Sequence, residues 1–137
     1  MKQLVLSIAA ALGLAALAGA AAAQDAEDML YLELKDGRVV IETLPGLAPD
    51  HVARIKELVR EKFYDGVVFH RVIDGFMAQT GDPTGTGRGG SGQKIRAEFS
   101  AVPHRRGVVS MARSNSPNSA DSQFFIVLDD APWLDNK

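Results

Sequence analysis

Val67-Val68-Phe69-His70-Arg71-Val72-Ile73-Asp74-Gly75-Phe76-Met77-Ala78-Gln79 is a run of branched and aromatic residues broken once, by Asp74-Gly75. Such side chains suit a pleated, half-buried surface, and Asp-Gly between two such runs supplies a tight turn. The stretch therefore predicts two antiparallel strands, Val67 to Val72 and Phe76 to Thr80. Alternation puts Val67, Phe69, Arg71 and Ile73 on one face. An arginine sharing a face with phenylalanine and isoleucine points to a cleft where the guanidinium has something to bind, because a charge is costly to bury alone. A solvated, outward-pointing arginine is the competing account.

The same reading extends to both sides. Met29 to Lys35 and Arg38 to Thr43 alternate around Asp36-Gly37, which predicts a hairpin. Pro49 suits a first helical turn, and Val52, Ile55, Leu58 and Phe63 recur at helical spacing, so Pro49 to Lys62 reads as an amphipathic helix. Gly81 to Gln93 is glycine-rich and nearly free of apolar residues, which predicts a long surface loop. Ile95 to Phe99, Gly107 to Ala112 and Gln123 to Leu128 read as further strands, with a polar loop from Arg113 to Ser122. Antiparallel strands with one early helix predict an all-β barrel.

At the N-terminus, Lys2, the apolar run Leu4 to Ala18 and Ala21-Ala22-Ala23 have the layout of a secretory signal peptide over residues 1–23. Cleavage there leaves a short polar lead, 24–28, expected to be mobile, and one domain, 29–137. It also leaves 14 basic against 17 acidic residues. A mildly acidic chain without a basic tract is a poor partner for nucleic acid. With the signal removed no membrane segment is expected, and localisation is expected to be periplasmic or secreted. The sequence has no cysteine, which excludes disulfides and the usual zinc sites and fits an oxidising compartment.

Several chemistries are weakly supported. Gly85-Thr86-Gly87-Arg88-Gly89-Gly90 matches the dinucleotide glycine pattern, but a strand-like segment follows it where a helix is needed. His51 is expected on the solvent face of the helix and His104 in a polar turn beside Arg105 and Arg106. Neither they nor His70 has a second ligand at metal spacing. No Gly-x-Ser-x-Gly elbow frames a serine, so a hydrolase reading is weak. Phe76, Met77, Phe124, Phe125 and Trp133 would, on statistics alone, be core residues.

The combination changes those assignments. Phe69-His70-Arg71, Gly75-Phe76-Met77-x-Gln79, Gly81-Asp82, Gly85-x-Gly87, Ser110-Met111-Ala112 and Ser122-Gln123-Phe124-Phe125-Ile126, in that order, resemble the cyclophilin peptidyl-prolyl isomerases. Met111-Ala112-Arg113 with Pro117, Ser119-Ala120 and Ser122-Gln123 is similar to the bacterial branch. The resemblance implies a closed antiparallel β-barrel capped by helices. It places the catalytic arginine at Arg71 with His70 beside it in the same cleft, and the proline pocket at Phe76, Met77, Phe125 and Leu134. Gln79 and Gln123 fall on positions that contact the substrate backbone; Ala112 and Arg113 lie at the strand edge along which the peptide runs. Trp133 falls on a rim position associated with cyclosporin binding.

Relatives usually continue past the segment matching Trp133 to Lys137 with further strands and a second helix, so the resemblance implies a domain truncated at its C-terminus. The expected activity is isomerisation of X-Pro bonds in exported proteins, by a monomer with proline-containing polypeptides as partners and with neither metal nor cofactor. A noncatalytic proline-peptide binder or chaperone, or an inactive fragment, is the alternative.

Overall fold

A computed structural model describes residues 26–137, so the expected signal peptide and the first two residues of the lead lie outside the described part. Two compact units divide between Thr43 and Leu44. The first is the expected hairpin, β1 (Met29–Leu34) and β2 (Gly37–Glu42), paired antiparallel from Met29 opposite Glu42 to Leu34 opposite Gly37. Glu33 and Arg38 face each other across the ladder, bond at 2.6 Å, and bring the Arg38 guanidinium 4.7 Å from the Tyr31 ring centroid. At the open end, Thr43 donates its N–H and hydroxyl to the Asp28 carbonyl. The turn is one residue earlier than expected. Lys35 and Asp36 form it, and neither adopts positive φ, while Gly37 opens β2 at φ 144°. The glycine thus relaxes the strand entry and is not a central turn residue of the primed type.

The second unit begins with α1 (Pro49–Arg60). Pro49 occupies the first turn as expected, and Leu58 is buried, only 1% exposed. No side chain caps the helix start locally. Glu98 does so from a distance, accepting the Asp50 and His51 backbone N–H groups at 3.0 Å on separate oxygens. A carboxylate there satisfies two orphan donors and opposes the positive end of the helix dipole. The His51 ring turns toward the same carboxylate and is only 12% exposed, which corrects the expectation of a solvent-facing histidine. The helix ends at Arg60 instead of Lys62. Lys62 takes the left-handed conformation at φ 60°, donating to the Val59 carbonyl while Phe63 donates to Leu58, the Schellman arrangement with lysine where glycine is commoner.

A four-stranded antiparallel sheet follows, in the order β3 (Arg71–Ile73), β4 (Met77–Thr80), β6 (Phe124–Val127), β5 (Val109–Met111). Three strand expectations shrink. Val67 to His70 stays outside the ladder: the Thr80 hydroxyl, not a backbone amide, takes the Val68 carbonyl. Ile95 to Phe99 pairs only through the single bridge of Ile95 with Ala120, because the Ala97 N–H goes to the Asn118 side chain. β5 keeps three residues of the expected six.

The closed barrel is likewise not formed. Both ladders end in edges, with β3 and β5 flanking the larger sheet, and among the described residues α1 is the only α-helix of that unit. The sheet buries residues on both faces: Met77 and Val127, directly opposite each other, on one and Phe124 on the other, each 9% exposed or less, with Tyr64 packed edge-on to Phe124 at 5.7 Å.

Candidate active site

Residues directly opposite in adjacent strands point to the same face. Arg71 lies opposite Gln79, Gln79 opposite Phe125, and Phe125 opposite Ser110. The sheet order therefore turns four residues scattered along the chain into one row across a single face. Gln123, two residues before Phe125, shares that face by the strand period. Its backbone carbonyl accepts the Ala112 N–H at 2.9 Å, which sets Ala112 and Arg113 beside it at the end of β5.

The polar part of the row is a hydrogen-bonded relay with a fixed sense. Gln123 Nε2 donates to the carbonyls of Gly87 (3.1 Å) and Gly89 (2.8 Å). Carbonyls only accept, so Gln123 must turn its nitrogen toward them and its oxygen toward Gln79. Gln79 Nε2 donates to that oxygen at 2.8 Å, which leaves Gln79 Oε1 facing Arg71, whose Nη1 lies at 3.5 Å. Arg71 is exposed, as are Val72 and Ile73, so the expected apolar burial of its strand is replaced by an open face. Its remaining guanidinium donors project from an anchored group.

The Gly87 and Gly89 carbonyls are held in turn by a carboxylate that sequence reading noticed only as part of a motif. Asp82 is fully buried. It accepts the Thr84 N–H and hydroxyl at 2.7 Å, the Gly87 N–H at 2.6 Å, and the Thr86 and Gly89 N–H groups at 3.1 Å. Asp121, 5% exposed, does the same for the next turn of the loop, accepting from the Ser91 N–H (2.7 Å) and hydroxyl (2.5 Å), Gly92 N–H and Lys94 Nζ. The glycines follow from this wrapping. A Cβ on Gly89 would stand 2.1 Å from Asp82 Oδ1, and one on Gly90 2.8 Å from the Asp121 carboxylate. The Gly-x-Gly-x-x-Gly pattern is thus a nest around the protein's own anion.

Burial pushes both carboxyls up, but the donors outweigh it. The Thr84 hydroxyl and the Thr84, Gly89 and Gly87 amides hold Asp82 well below the usual carboxylate range, and Ser91 and Lys94 hold Asp121 below it. Burial likewise pushes the Tyr64 phenol up; its hydroxyl donates to the Ser122 carbonyl at 2.9 Å. There the chain crosses closely, since a Cβ on Gly81 would meet Ser122 O at 2.3 Å.

The apolar residues expected beside the relay divide by depth. Met77 is 2% exposed and belongs to the core; Phe125, Phe76 and Leu134 are half-buried. Trp133 is 52% exposed on a 3-10 turn, Pro132–Leu134, with its ring 5.3 Å from that of Phe76. Arg113 is exposed and lies 6.0 Å from the Phe99 ring. His70 lies against the glycine-rich loop. Both its ring nitrogens are buried without a partner, and its Cδ2 is 3.4 Å from where a Gly87 Cβ would stand, so the imidazole supports the loop. His104, expected in a polar turn, is half-buried and stacks on Phe125. Among the described residues no group of three or more His, Cys, Asp or Glu could hold a metal ion.

One antiparallel sheet thus carries an arginine, an amide relay and a half-buried aromatic cluster. The profile of the cyclophilin type peptidyl-prolyl cis-trans isomerases matches residues 29–137, and the chain belongs to that family. A protein of Brucella abortus named as a probable peptidyl-prolyl cis-trans isomerase is 54% identical over 129 residues, covering 85% of this chain and 66% of its own length. The chain thus spans just under two thirds of that relative. A peptidyl-prolyl cis-trans isomerase of Schizosaccharomyces pombe is 45% identical, with 77% of this chain and 71% of its own covered. Among solved structures, a Cryptosporidium parvum cyclophilin type isomerase, determined in the presence of the dipeptide Ala-Pro, superposes with a TM-score of 0.74 at 33% identity. The match covers 78% of this chain and 72% of that one.

The nest has a measurable consequence. An unfolded aspartate titrates near about 3.9. With its folded value lower, Asp82 contributes stability in full above that pH, and the contribution is lost as pH falls from there through the folded value. Asp82→Asn, which turns an amide donor toward backbone donors, should lower the midpoint of denaturant unfolding at pH 7. It should also flatten the decline of stability between about pH 5 and 2. An acid limb equally steep in the variant would contradict the assignment.

Proposed function

We propose that this chain catalyses cis-trans isomerisation of X-Pro peptide bonds. The observation that carries the reading is the anchored but donor-rich Arg71, set by strand register in one row with Gln79 and Phe125. The Ala-Pro dipeptide named with the Cryptosporidium neighbour supports proline-containing peptides as the ligand class.

The chemistry follows from the amide. A planar peptide bond delocalises the nitrogen lone pair into the carbonyl, which gives a barrier of about 18 to 20 kcal/mol. At X-Pro bonds both isomers are populated and exchange over tens to hundreds of seconds. In the twisted transition state the prolyl nitrogen is pyramidal and its lone pair can accept a hydrogen bond. A guanidinium N–H directed there binds the transition state better than the planar ground state, which is the requirement for catalysis. Gln79 cannot swing freely, so the guanidinium it contacts begins partly oriented. Phe125, Phe76 and Leu134 offer an apolar surface for the proline ring, with Met77 in the core. The planar amide is more dipolar than the twisted one and loses more on leaving water, which adds to the effect. Ala112, Arg113 and Gln123 line the edge along which the flanking backbone would run, and Trp133 the rim where a cyclosporin-type ligand would lie. The mechanism needs no nucleophile, acid, base or cofactor.

The proposal extends to location. The layout of residues 1–23 supports export and signal cleavage, and hence a role for the monomer in folding exported proteins in the periplasm or outside the cell. N-terminal sequencing of the protein recovered from its native cells should begin near Gln24; a start at Met1 would contradict export.

For the reaction, Arg71→Ala should lower kcat/KM for an Ala-Pro peptide by about 100- to 1000-fold, as expected for one preorganised donor, with little loss of peptide affinity. A wild-type chain that binds the peptide without accelerating the exchange would replace this reading by that of a proline-peptide binder.

A further inference from the structure

His104 is joined to three elements at once. Asp135 Oδ1 accepts its backbone N–H at 2.8 Å and lies 2.9 Å from its Nδ1. An ionised carboxylate only accepts, so Nδ1 carries the proton. Asp135 is kept ionised by those contacts: the His104 backbone amide and then its ring hold the carboxyl below the usual range. His104 Nε2 lies 3.3 Å from Ser110 Oγ, a hydroxyl that can donate to a neutral ring or accept from a charged one. The face of the ring stacks on Phe125, with centroids 6.2 Å apart and planes 12° from parallel. The backbone carbonyl of His104 accepts the Ala131 N–H at 2.8 Å.

The last contact makes the arrangement a clamp. Ala131 and Asp135 bracket the 3-10 turn that carries Trp133 and Leu134, and the same residue holds both ends. The turn's own bonds, Leu134 N–H to Ala131 O at 3.0 Å and Asp135 N–H to Pro132 O at 3.2 Å, are of the 3-10 type, whose geometry is poor and whose runs are short. It does not hold its position unaided.

We propose that His104 and Asp135 are positioning residues for the apolar half of the site, fixing the Trp133–Leu134 turn and Phe125 relative to each other from behind. The kinetic consequence rests on the isomerase reading; the geometric one does not. Arg71 is held from the opposite edge of the sheet through Gln79, so loss of the clamp should loosen the seat for proline while leaving the donor in place.

Trp133 is the sole tryptophan of the chain, so its fluorescence reports the turn without any appeal to activity. The test compares His104→Ala, Asp135→Ala and the double variant of the full chain, by acrylamide quenching of Trp133 and by kcat and KM for an Ala-Pro peptide. Each single variant should raise the quenching constant about twofold and KM about tenfold, with kcat within about threefold of wild type, as expected when positioning and not the reacting group is lost. The double variant should be no worse than either single one, because both remove the same clamp. His104→Asn, which places an amide donor where Nδ1 was, should recover most of the Trp133 protection and also serves if the alanine variant does not fold. Additive losses in the double variant, unchanged quenching in His104→Ala, or a loss confined to kcat would each overturn the proposal. A wild-type chain that accelerates nothing would overturn the isomerase reading, and the quenching comparison would then decide the clamp by itself.

Discussion

The arrangement depends on one buried anion. Asp82 is buried, and its charge is balanced by backbone amides and threonine hydroxyls drawn from the seven residues that follow. A carboxylate removed from solvent is very costly unless its acceptor sites are filled, so the loop must close around it in a particular way. Closure aims the Gly87 and Gly89 carbonyls at Gln123. From there the sense of each amide is dictated in turn, through Gln79 to Arg71. A long glycine-rich loop, which would otherwise be the softest part of the chain, becomes the reference that orients the guanidinium.

Two halves of the site are therefore supported by different physics. The polar half is held by donor and acceptor arithmetic: a neutral amide can point either way in isolation, and only an acceptor-only neighbour removes the choice. The apolar half is held by stacking and by the bonds of His104 to both ends of the Trp133 turn. The two meet at Phe125, which lies between Gln79 and Ser110 in the same row. The contacts proposed for substrate fall on this row, where Arg71 is exposed and Gln79, Phe125 and Ser110 are half-buried, and the groups that hold it in register lie elsewhere.

Legibility in the sequence followed the range of the interactions. The hairpin, α1 and the strands carrying Arg71, Gln79 and Phe125 were readable because periodicity and turn residues are local signals. The hairpin turn was off by one residue, since Gly37 can serve either as a turn centre or as a relaxed strand entry. Ile95 to Phe99 looked like a strand, but a side chain 21 residues away took the Ala97 amide that a ladder would have used. His51 looked solvated because its partner, Glu98, is 47 residues distant. The closed barrel came from resemblance and not from pattern, and the described strands stop at open edges. Arg71, Gln79 and Gln123 were picked out by motif; that the two glutamines form a relay was not, because side-chain amides carry no periodicity. Asp82 had a usable signal: an aspartate entering a loop of glycines and threonines with no apolar residue to bury is the composition of an anion nest. His104 offered none, since its partner lies 31 residues on.

The claim that the loop dictates the orientation of Arg71 is tested most directly at Gln123, by replacing it with glutamate and measuring kcat/KM for an Ala-Pro peptide on protein shown by circular dichroism to be folded. Glutamate keeps the shape but cannot donate to the Gly87 and Gly89 carbonyls when ionised, so the relay loses its sense at the first link. The account predicts a fall of about 10- to 100-fold at pH 7, carried by a residue two hydrogen bonds away from the arginine. A folded Gln123→Glu protein with unchanged kcat/KM would show that Arg71 needs no such orientation, and would contradict the account at its centre.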